Sequence, residues 1–337
     1  MASGNGIDLF DMTFIGGGPT GLFGIFYAGM RQARTKVIES LPQLGGQLAA
    51  LYPEKEIFDV AGFPRVLAKD LVARLKEQAF SANPDCAVHL GERVVGLSRS
   101  EEGYWILETD KGNRHYSRAV IITAGIGAFE PNRLPNEDAR RFEGRGVTYN
   151  VASPQEYVGK NVLVIGGGDS AVDYALMLEP VARSVTLIHR REGFRAHDAS
   201  LKKLAESRVT VKTHYELRSL AGDDWVREAT IFDNRTGEEM TLPVDAVVIG
   251  TGFKASLGPI KDWGLELQGN QIVVNTKMET SLPGVYAAGD ICWYPGKIRL
   301  IATGFGEVAT AVNNAKAYIH PGSAVFPGHS SDQAAKR

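Results

Sequence analysis

Cysteine is the residue this chain has least of: two in 337, Cys86 and Cys292. They are too far apart to form a C-x-x-C pair. That excludes a disulfide framework, a cysteine-rich metal site and an intrachain dithiol relay together, and it fits a reduced, cytoplasmic setting. A surplus of charge of one sign is also missing. The 37 Lys and Arg against 39 Asp and Glu leave a net charge of -2, which speaks against nucleic acid or an anionic membrane as a general partner. No secretory leader is legible. Residues 12–30 carry no charge and mimic a membrane span on hydropathy alone, but six glycines and a proline within them make a span a poor reading.

What is plentiful is glycine, 38 residues, and part of the excess has a pattern. An apolar run (Met12, Phe14, Ile15) leads into Gly16-Gly17-Gly18-Pro19-Thr20-Gly21, and Leu22 to Met30 then reads as a helix. A second apolar run, Lys36-Val37-Ile38, closes on Glu39. Strand, G-x-G-x-x-G turn, helix, strand and acid form a dinucleotide-binding unit. Gly16 permits the tight turn, Gly18 admits a pyrophosphate to the backbone, and Gly21 lets helix and strand pack closely. The helix start offers free N–H groups to the phosphates, and Glu39 can accept hydrogen bonds from ribose hydroxyls.

The device recurs 150 residues later. Asn161 to Ile165 runs into Gly166-Gly167-Gly168-Asp169-Ser170-Ala171, with a helix expected over Val172 to Leu178. Its second strand is Ser184 to Ile188, so the place of Glu39 falls to His189, followed by Arg190 and Arg191. The acid that would favour a free 2′-hydroxyl is replaced by cations. Arginine forks suit a 2′-phosphate, so this second site should prefer NADP(H) to NAD(H), with Arg195 as a third cation. The alternative is a solvated basic strand end.

Between the units, residues 44–64 are rich in Gly and Pro and predict a long functional loop. Helices are expected over Ala68–Ser81 and Gly306–Tyr318, and strands over Ala87–Leu97 and Tyr104–Glu108. Two buried runs that end in small residues, Ala119–Gly125 and Ala246–Gly252, and a short strand Val285–Asp290 complete the pattern. The order predicts an α/β protein of two Rossmann-like domains: residues 1–118 with 251–337, interrupted by residues 119–250.

At this point the chain resembles the two-dinucleotide flavoprotein superfamily, through Gly16 to Gly21, Gly45-Gly46-Gln47, Gly166 to Ala171, His189-Arg190-Arg191 with Phe194-Arg195-Ala196, and Ala287-Ala288-Gly289-Asp290. The pattern is similar to thioredoxin reductase, except that the region before the second glycine turn, Gly146 to Pro154, holds no sulfur. Leu51 to Lys55, Asp59 to Pro64 and the tail His329-Ser330-Ser331 instead resemble the thioredoxin-reductase-like ferredoxin–NADP+ reductases. Asp332 departs from that pattern.

The resemblance implies FAD in the first site, NADP(H) in the second, a homodimer in which one tail covers the other subunit's flavin, and transient pairing with ferredoxin or flavodoxin. It implies that Glu39 binds the FAD ribose, Thr20 sits by the pyrophosphate, Val94 meets the adenine, and Gln47 and Phe129 lie near the flavin. Asp290 would hold the ribityl–pyrophosphate part and Ser331 would reach the isoalloxazine, with Tyr52 and His329 stacked on its two faces. Val94 and Phe129 could equally be core, Tyr52 an ordinary half-buried tyrosine and His329 a tail residue. The chemistry would belong to the cofactors, with no acid–base residue and no metal. Rival readings keep both sites but change the acceptor to a low-molecular-weight disulfide, quinone or free flavin, or make the protein a flavin-bound redox sensor. The docking face is not legible; Lys254, Lys261, Lys297 and Arg299 are scattered candidates.

Overall fold

One strand changes character halfway along, and the first half of the molecule is organised by that change. The computed structural model describes residues 7–329 apart from Ala152, with the backbone alone for 128–130 and 253–255. Strand Arg114–Ile122 begins with alternating burial and ends in four consecutive buried residues. Its first half pairs antiparallel with Trp105–Thr109, and its last three residues pair parallel with Val285–Ala287. Along its other edge it lies parallel to Leu9–Ile15. A strand with one wet face alternates, whereas one covered on both faces is apolar at every position; here one strand does both in turn.

Thr35–Glu39 and Ala87–Leu90 extend the sheet beyond Leu9–Ile15, and Val94–Arg99 extends it beyond Trp105–Thr109, giving seven strands. Helix Pro19–Met30 packs against both Ala68–Ala82 and Ile301–Ile319. The approach to the last helix is close: a Cβ on Gly24 would lie 2.7 Å from Val308 and 2.5 Å from Phe14.

The chain divides into two compact units, residues 1–129 with 255–337, and residues 130–254. The expected boundaries at 118/119 and 250/251 therefore shift. Residues 119–122 belong to the first unit because they pair in register with Met12–Ile15. The resemblance of Ala119–Gly125 to Ala246–Gly252 is that of equivalent strands in two copies of one unit.

The second unit has a five-stranded parallel sheet in the order Val147–Thr148, Ala246–Ile249, Asn161–Ile165, Ser184–His189, Thr210–Thr213, with helices Asp169–Leu178 and Asp198–Glu206. A three-stranded antiparallel meander, Tyr215–Gly222, Val226–Asp233 and Glu239–Pro243, is attached to it. The meander is absent from the sequence reading, although Gly222-Asp223-Asp224 and Asn234 to Gly237 carry the turn signals that would have marked it.

Two further expectations change. The 44–64 segment contains a short helix, Gly46–Ala50, and the first strand of a two-residue pair, Glu56–Ile57 with Val66–Leu67. The last helix starts at Ile301, five residues before Gly306, and that start carries no side-chain cap that the sequence could advertise.

A buried polar network crosses the first sheet. Lys36 Nζ lies 3.2 Å from His115 Nδ1, and His115 Nε2 lies 3.1 Å from Glu92 Oε1, which also accepts from Thr109 and Asn113. His89, Glu92 and His115 bring ligand-type atoms within 4.8 Å of one another. The ammonium on Nδ1 leaves the proton on Nε2, so His115 donates to Glu92 and is committed to holding that carboxylate. Burial pushes the Glu92 carboxyl up, but hydrogen bonds from His115, Asn113 and Thr109 outweigh it and hold it at about 2. A folded-state pKa below the ordinary 4.5 gives stability that is present above that value and lost as pH falls towards 2. Glu92→Gln is expected to lower Tm most near neutral pH, with the difference shrinking through that window; a loss independent of pH would contradict it.

Candidate functional site

The first glycine turn is built as the sequence pattern requires. Gly16 takes φ +105°, and a Cβ there would lie 2.6 Å from the Thr123 carbonyl oxygen. At Gly21 a Cβ would meet the Gly16 carbonyl oxygen at 2.1 Å. That oxygen is pinned by the Thr123 hydroxyl, which donates to it at 2.7 Å. Glu39 ends its strand 5% exposed and accepts from the Gly17 N–H at 2.7 Å and the Leu41 N–H at 2.9 Å. The 44–50 segment backs directly onto the turn: the Gly45 N–H donates to the Gly17 carbonyl at 2.8 Å, and a Cβ on Gly46 would lie 2.9 Å from Gly18 Cα.

A cavity of about 350 Å³ opens over these residues, wholly within the first unit. Its lining brings together Gly16, Gly18, Thr20, Glu39, Gln47 and Tyr52, and with them Val94 and Asp290. The Tyr52 hydroxyl donates to Gln47 Oε1 at 3.2 Å. Burial pushes the Tyr52 phenol up, and the charge of Asp290 adds to that. Burial likewise raises the Asp290 carboxyl, opposed by Lys297 and Arg299 and reinforced by Glu307. Gly21 is buried behind the turn and sets the packing beneath the cavity.

His329 does not line this cavity. It is exposed and packs edge-on against Phe326, 5.5 Å between ring centroids. The side chain of Phe129, and Ser331 altogether, lie outside the described residues. The cavity also takes in Arg93, Trp263 and the Arg299–Ile301 run, which the sequence reading missed as lining. The last of these was within reach: it is the start of the final helix, hidden by placing that start at Gly306. Of the scattered cations, Lys297 is no docking candidate, since its side chain is 3% exposed and paired with Glu307. Arg299 faces the cavity, and its guanidinium donates to Gln271 Oε1 at 3.3 Å.

The second glycine turn repeats the first with one exchange. Gly166 takes φ +151°, and a Cβ there would lie 2.4 Å from the Gly250 carbonyl oxygen and 2.7 Å from Ala171 Cβ. Gly250 occupies the place of Thr123, and a Cβ on it would meet Ala171 at 2.8 Å. The first unit pairs glycine on the helix with threonine on the strand, and the second pairs alanine with glycine. Gly168 caps the helix that begins at Asp169, with Ser170 in its first turn. His189 lies over Gly167 as Glu39 lies over Gly17: a Cβ on Gly167 would come within 2.4 Å of three ring atoms of His189. Burial lowers the His189 pKa, the Gly193 carbonyl opposes this, and Arg190, Arg191 and Arg195 lower it further. The Arg195 N–H donates to the Gly167 carbonyl at 2.7 Å, which carries its backbone to the turn. The side chains of Arg190, Arg191 and Arg195 are exposed at this end of the sheet.

Two sheets, one mixed and one parallel, each with a glycine turn at the end of a parallel strand and the second inserted in the sequence of the first, define an oxidoreductase of the two-dinucleotide class. Residues 10–315 match the family model described as pyridine nucleotide-disulphide oxidoreductase. The chain belongs to this family and, within it, to the family of the ferredoxin–NADP reductases. It is 71% identical over 328 residues to the ferredoxin–NADP reductase of Symbiobacterium thermophilum, covering 97% of this chain and 98% of that one. It is 58% identical over 325 residues to that of Halalkalibacterium halodurans, covering 96% and 98%. Among solved structures it is similar to the thioredoxin reductase of Lactococcus lactis in its FR conformation, with a TM-score of 0.74 and 24% identity over 92% of this chain and 99% of that one. The thioredoxin reductase of T. acidophilum matches with the same score and identity. These two support the fold alone. No helix among the described residues is long and apolar enough to cross a membrane.

Proposed function

We propose that the chain is a ferredoxin–NADP+ reductase that holds FAD at the first glycine turn and NADP(H) at the second. The observation that carries the site assignment is the contrast between the two strand ends: a buried carboxylate at Glu39 and, at the matching place, His189 flanked by three exposed arginines. Bound flavin supplies the conversion between a hydride and single electrons.

The protein's part is to bind, orient and exclude water. Gly16, Gly18 and Thr20 offer backbone and hydroxyl donors to a pyrophosphate, and Glu39 accepts from the adenosine ribose. Val94 gives an apolar wall for adenine, and Asp290 accepts from the sugar-alcohol chain. Gln47 and Tyr52 face the redox ring. In the second unit, Gly166, Gly168 and Ser170 receive the NADP(H) pyrophosphate. Arg190, Arg191 and Arg195 fork onto the 2′-phosphate. A homodimer in which His329 and Ser331 of each tail cover the partner's flavin accords with the place of His329 away from its own cavity. Phe129 belongs to the same flavin end. Ferredoxin is the acceptor we favour, with flavodoxin as its substitute, in the cytoplasm.

A disulfide acceptor served by a single cysteine has little support. Cys292 is fully buried and its thiol is pushed up to about 12 by burial and by Glu307, so it stays protonated. Cys86 is buried too, and burial raises its thiol.

The test is anaerobic titration of the purified protein with NADPH and, separately, NADH, followed by ferredoxin with cytochrome c as reporter. Bleaching of the flavin by NADPH with ferredoxin-dependent cytochrome reduction is the expected result. Bleaching without ferredoxin dependence would keep both sites and move the function to another acceptor.

A further inference from the structure

Behind the cavity lies a buried charge that the dinucleotide pattern does not require. Glu307, on the last helix and 5% exposed, turns both oxygens to one short segment, residues 289–297. Its Oε2 accepts from the Gly289 N–H at 2.8 Å and from the Cys292 thiol at 3.5 Å. Its Oε1 accepts from the Tyr294 hydroxyl at 2.7 Å and from the Lys297 ammonium. The segment is closed on itself as well, since the N–H of Cys292 donates to the Gly289 carbonyl and its one thiol proton is shared between that carbonyl and Glu307. Gly289 sits at φ +82° with no room for a side chain, a Cβ there lying 2.9 Å from the Thr20 hydroxyl. Asp290, next in sequence, is the residue of this segment that lines the cavity beside Gly289.

A buried carboxylate is costly unless it is paired and hydrogen-bonded. Glu307 meets both conditions, and these four partners all lie in the segment that presents Asp290. The burial of Tyr294 and Cys292 raises both of their acid groups, so neither adds a charge. Glu307 and Lys297 therefore supply the formal charges among these five groups, and they act on Asp290 with opposite sign.

We propose that Glu307 is a positioning residue that fixes the Gly289–Asp290 turn toward a bound flavin dinucleotide, and that with Lys297 it forms a charge-balanced pair setting the electrostatic potential at that ligand. This rests on the flavin reading of the cavity. Two consequences separate. Holding the turn depends on the shape and acceptors of Glu307, whereas the potential depends on the sum of the two charges.

The experiment compares Glu307→Gln, Lys297→Met and the double variant by FAD affinity of the apoprotein and by the flavin midpoint potential. Glu307→Gln, with one acceptor oxygen in place of two, is expected to weaken FAD about tenfold, the loss of one charge-assisted hydrogen bond. It leaves a positive charge unopposed and should shift the potential upward. Lys297→Met leaves a negative charge and should shift it downward. The double variant should return the potential to that of the unaltered protein while FAD stays about tenfold weaker. Because the double variant is charge-balanced it is the one best able to fold, and its FAD affinity alone decides the positioning claim. Affinity within about twofold of the unaltered protein, or single variants whose potentials move in the same direction, overturns the proposal. An unaltered protein that binds FAD but does not reduce ferredoxin would overturn the proposed acceptor and leave this inference standing; one that does not bind FAD would remove both.

Discussion

Replacing Arg190 and Arg191 together with alanine is expected to lower kcat/KM for NADPH about a hundredfold and leave NADH within about twofold. On the proposed reading each guanidinium would supply a charge-assisted hydrogen bond to the 2′-phosphate worth about 1.5–3 kcal/mol. Exposure of both side chains places the pair at the low end of that range. Two such bonds correspond to about a hundredfold. The effect should fall on the 2′-phosphate alone, because the rest of the turn is held independently. The Gly167 carbonyl takes the Arg195 N–H, and Asp169 takes the His197 N–H at 2.9 Å. Stopped-flow reduction of the flavin by each nucleotide checks it, and the NADPH advantage of the unaltered protein should shrink with added salt. Equal losses for NADPH and NADH would mean that the arginines support the turn and do not read the phosphate.

Gly21→Ala carries the second large effect. The added methyl would sit 2.1 Å from the Gly16 carbonyl oxygen, well inside any real contact, and that oxygen is held in place by the Thr123 hydroxyl. Overpacking of this kind costs about 1–3 kcal/mol, and the atom displaced belongs to the turn that would receive the pyrophosphate. FAD affinity is expected to fall by about fivefold to 150-fold. The second unit tolerates alanine at the matching place, Ala171, opposite a glycine, Gly250. Adding Thr123→Gly should therefore recover part of the loss by freeing the Gly16 carbonyl, up to about tenfold in affinity. Fluorescence titration of the apoproteins with FAD measures both steps. A double variant no better than Gly21→Ala alone would show that the size exchange between the two units is incidental.

The difference between what could be read from the sequence and what could not has a physical origin. Both glycine turns are legible because their constraints are local: a positive φ, a close approach and a helix start all fall within one short run, Gly16 to Gly21 or Gly166 to Ala171. Glu39 and His189 are legible for the same reason, as each ends the next strand. The place of Ala119–Ile122 is not, because its apolar run would suit the parallel sheet of either unit, and only pairing with Met12–Ile15 decides between them. The start of the last helix escapes because no capping side chain marks Leu300, and with it went Arg299 and Ile301 at the cavity wall. Glu307 is invisible in another way. A glutamate lying on a helix between Thr303 and Ala311 would pass for a solvated position, and its burial follows only from what the 289–297 segment lays against it.

The interruption of the first unit by residues 130–254 bears on how the chain reaches its fold. As it emerges from the ribosome, the inserted unit is complete once residue 254 has been made. The first unit still lacks strand Val285–Ala287 and helix Ile301–Ile319, which close its sheet and cover its first helix. Joining residues 129 and 255 across an unfolded insert would cost about 4 kcal/mol of loop entropy. An insert that has already folded brings its own ends together and removes most of that cost. The order of synthesis and the order of assembly therefore favour the same sequence of events, with the inner unit first and the outer one last. A chain released before residue 285 would carry a finished inner unit beside an open sheet edge, and it would be prone to aggregate through that edge.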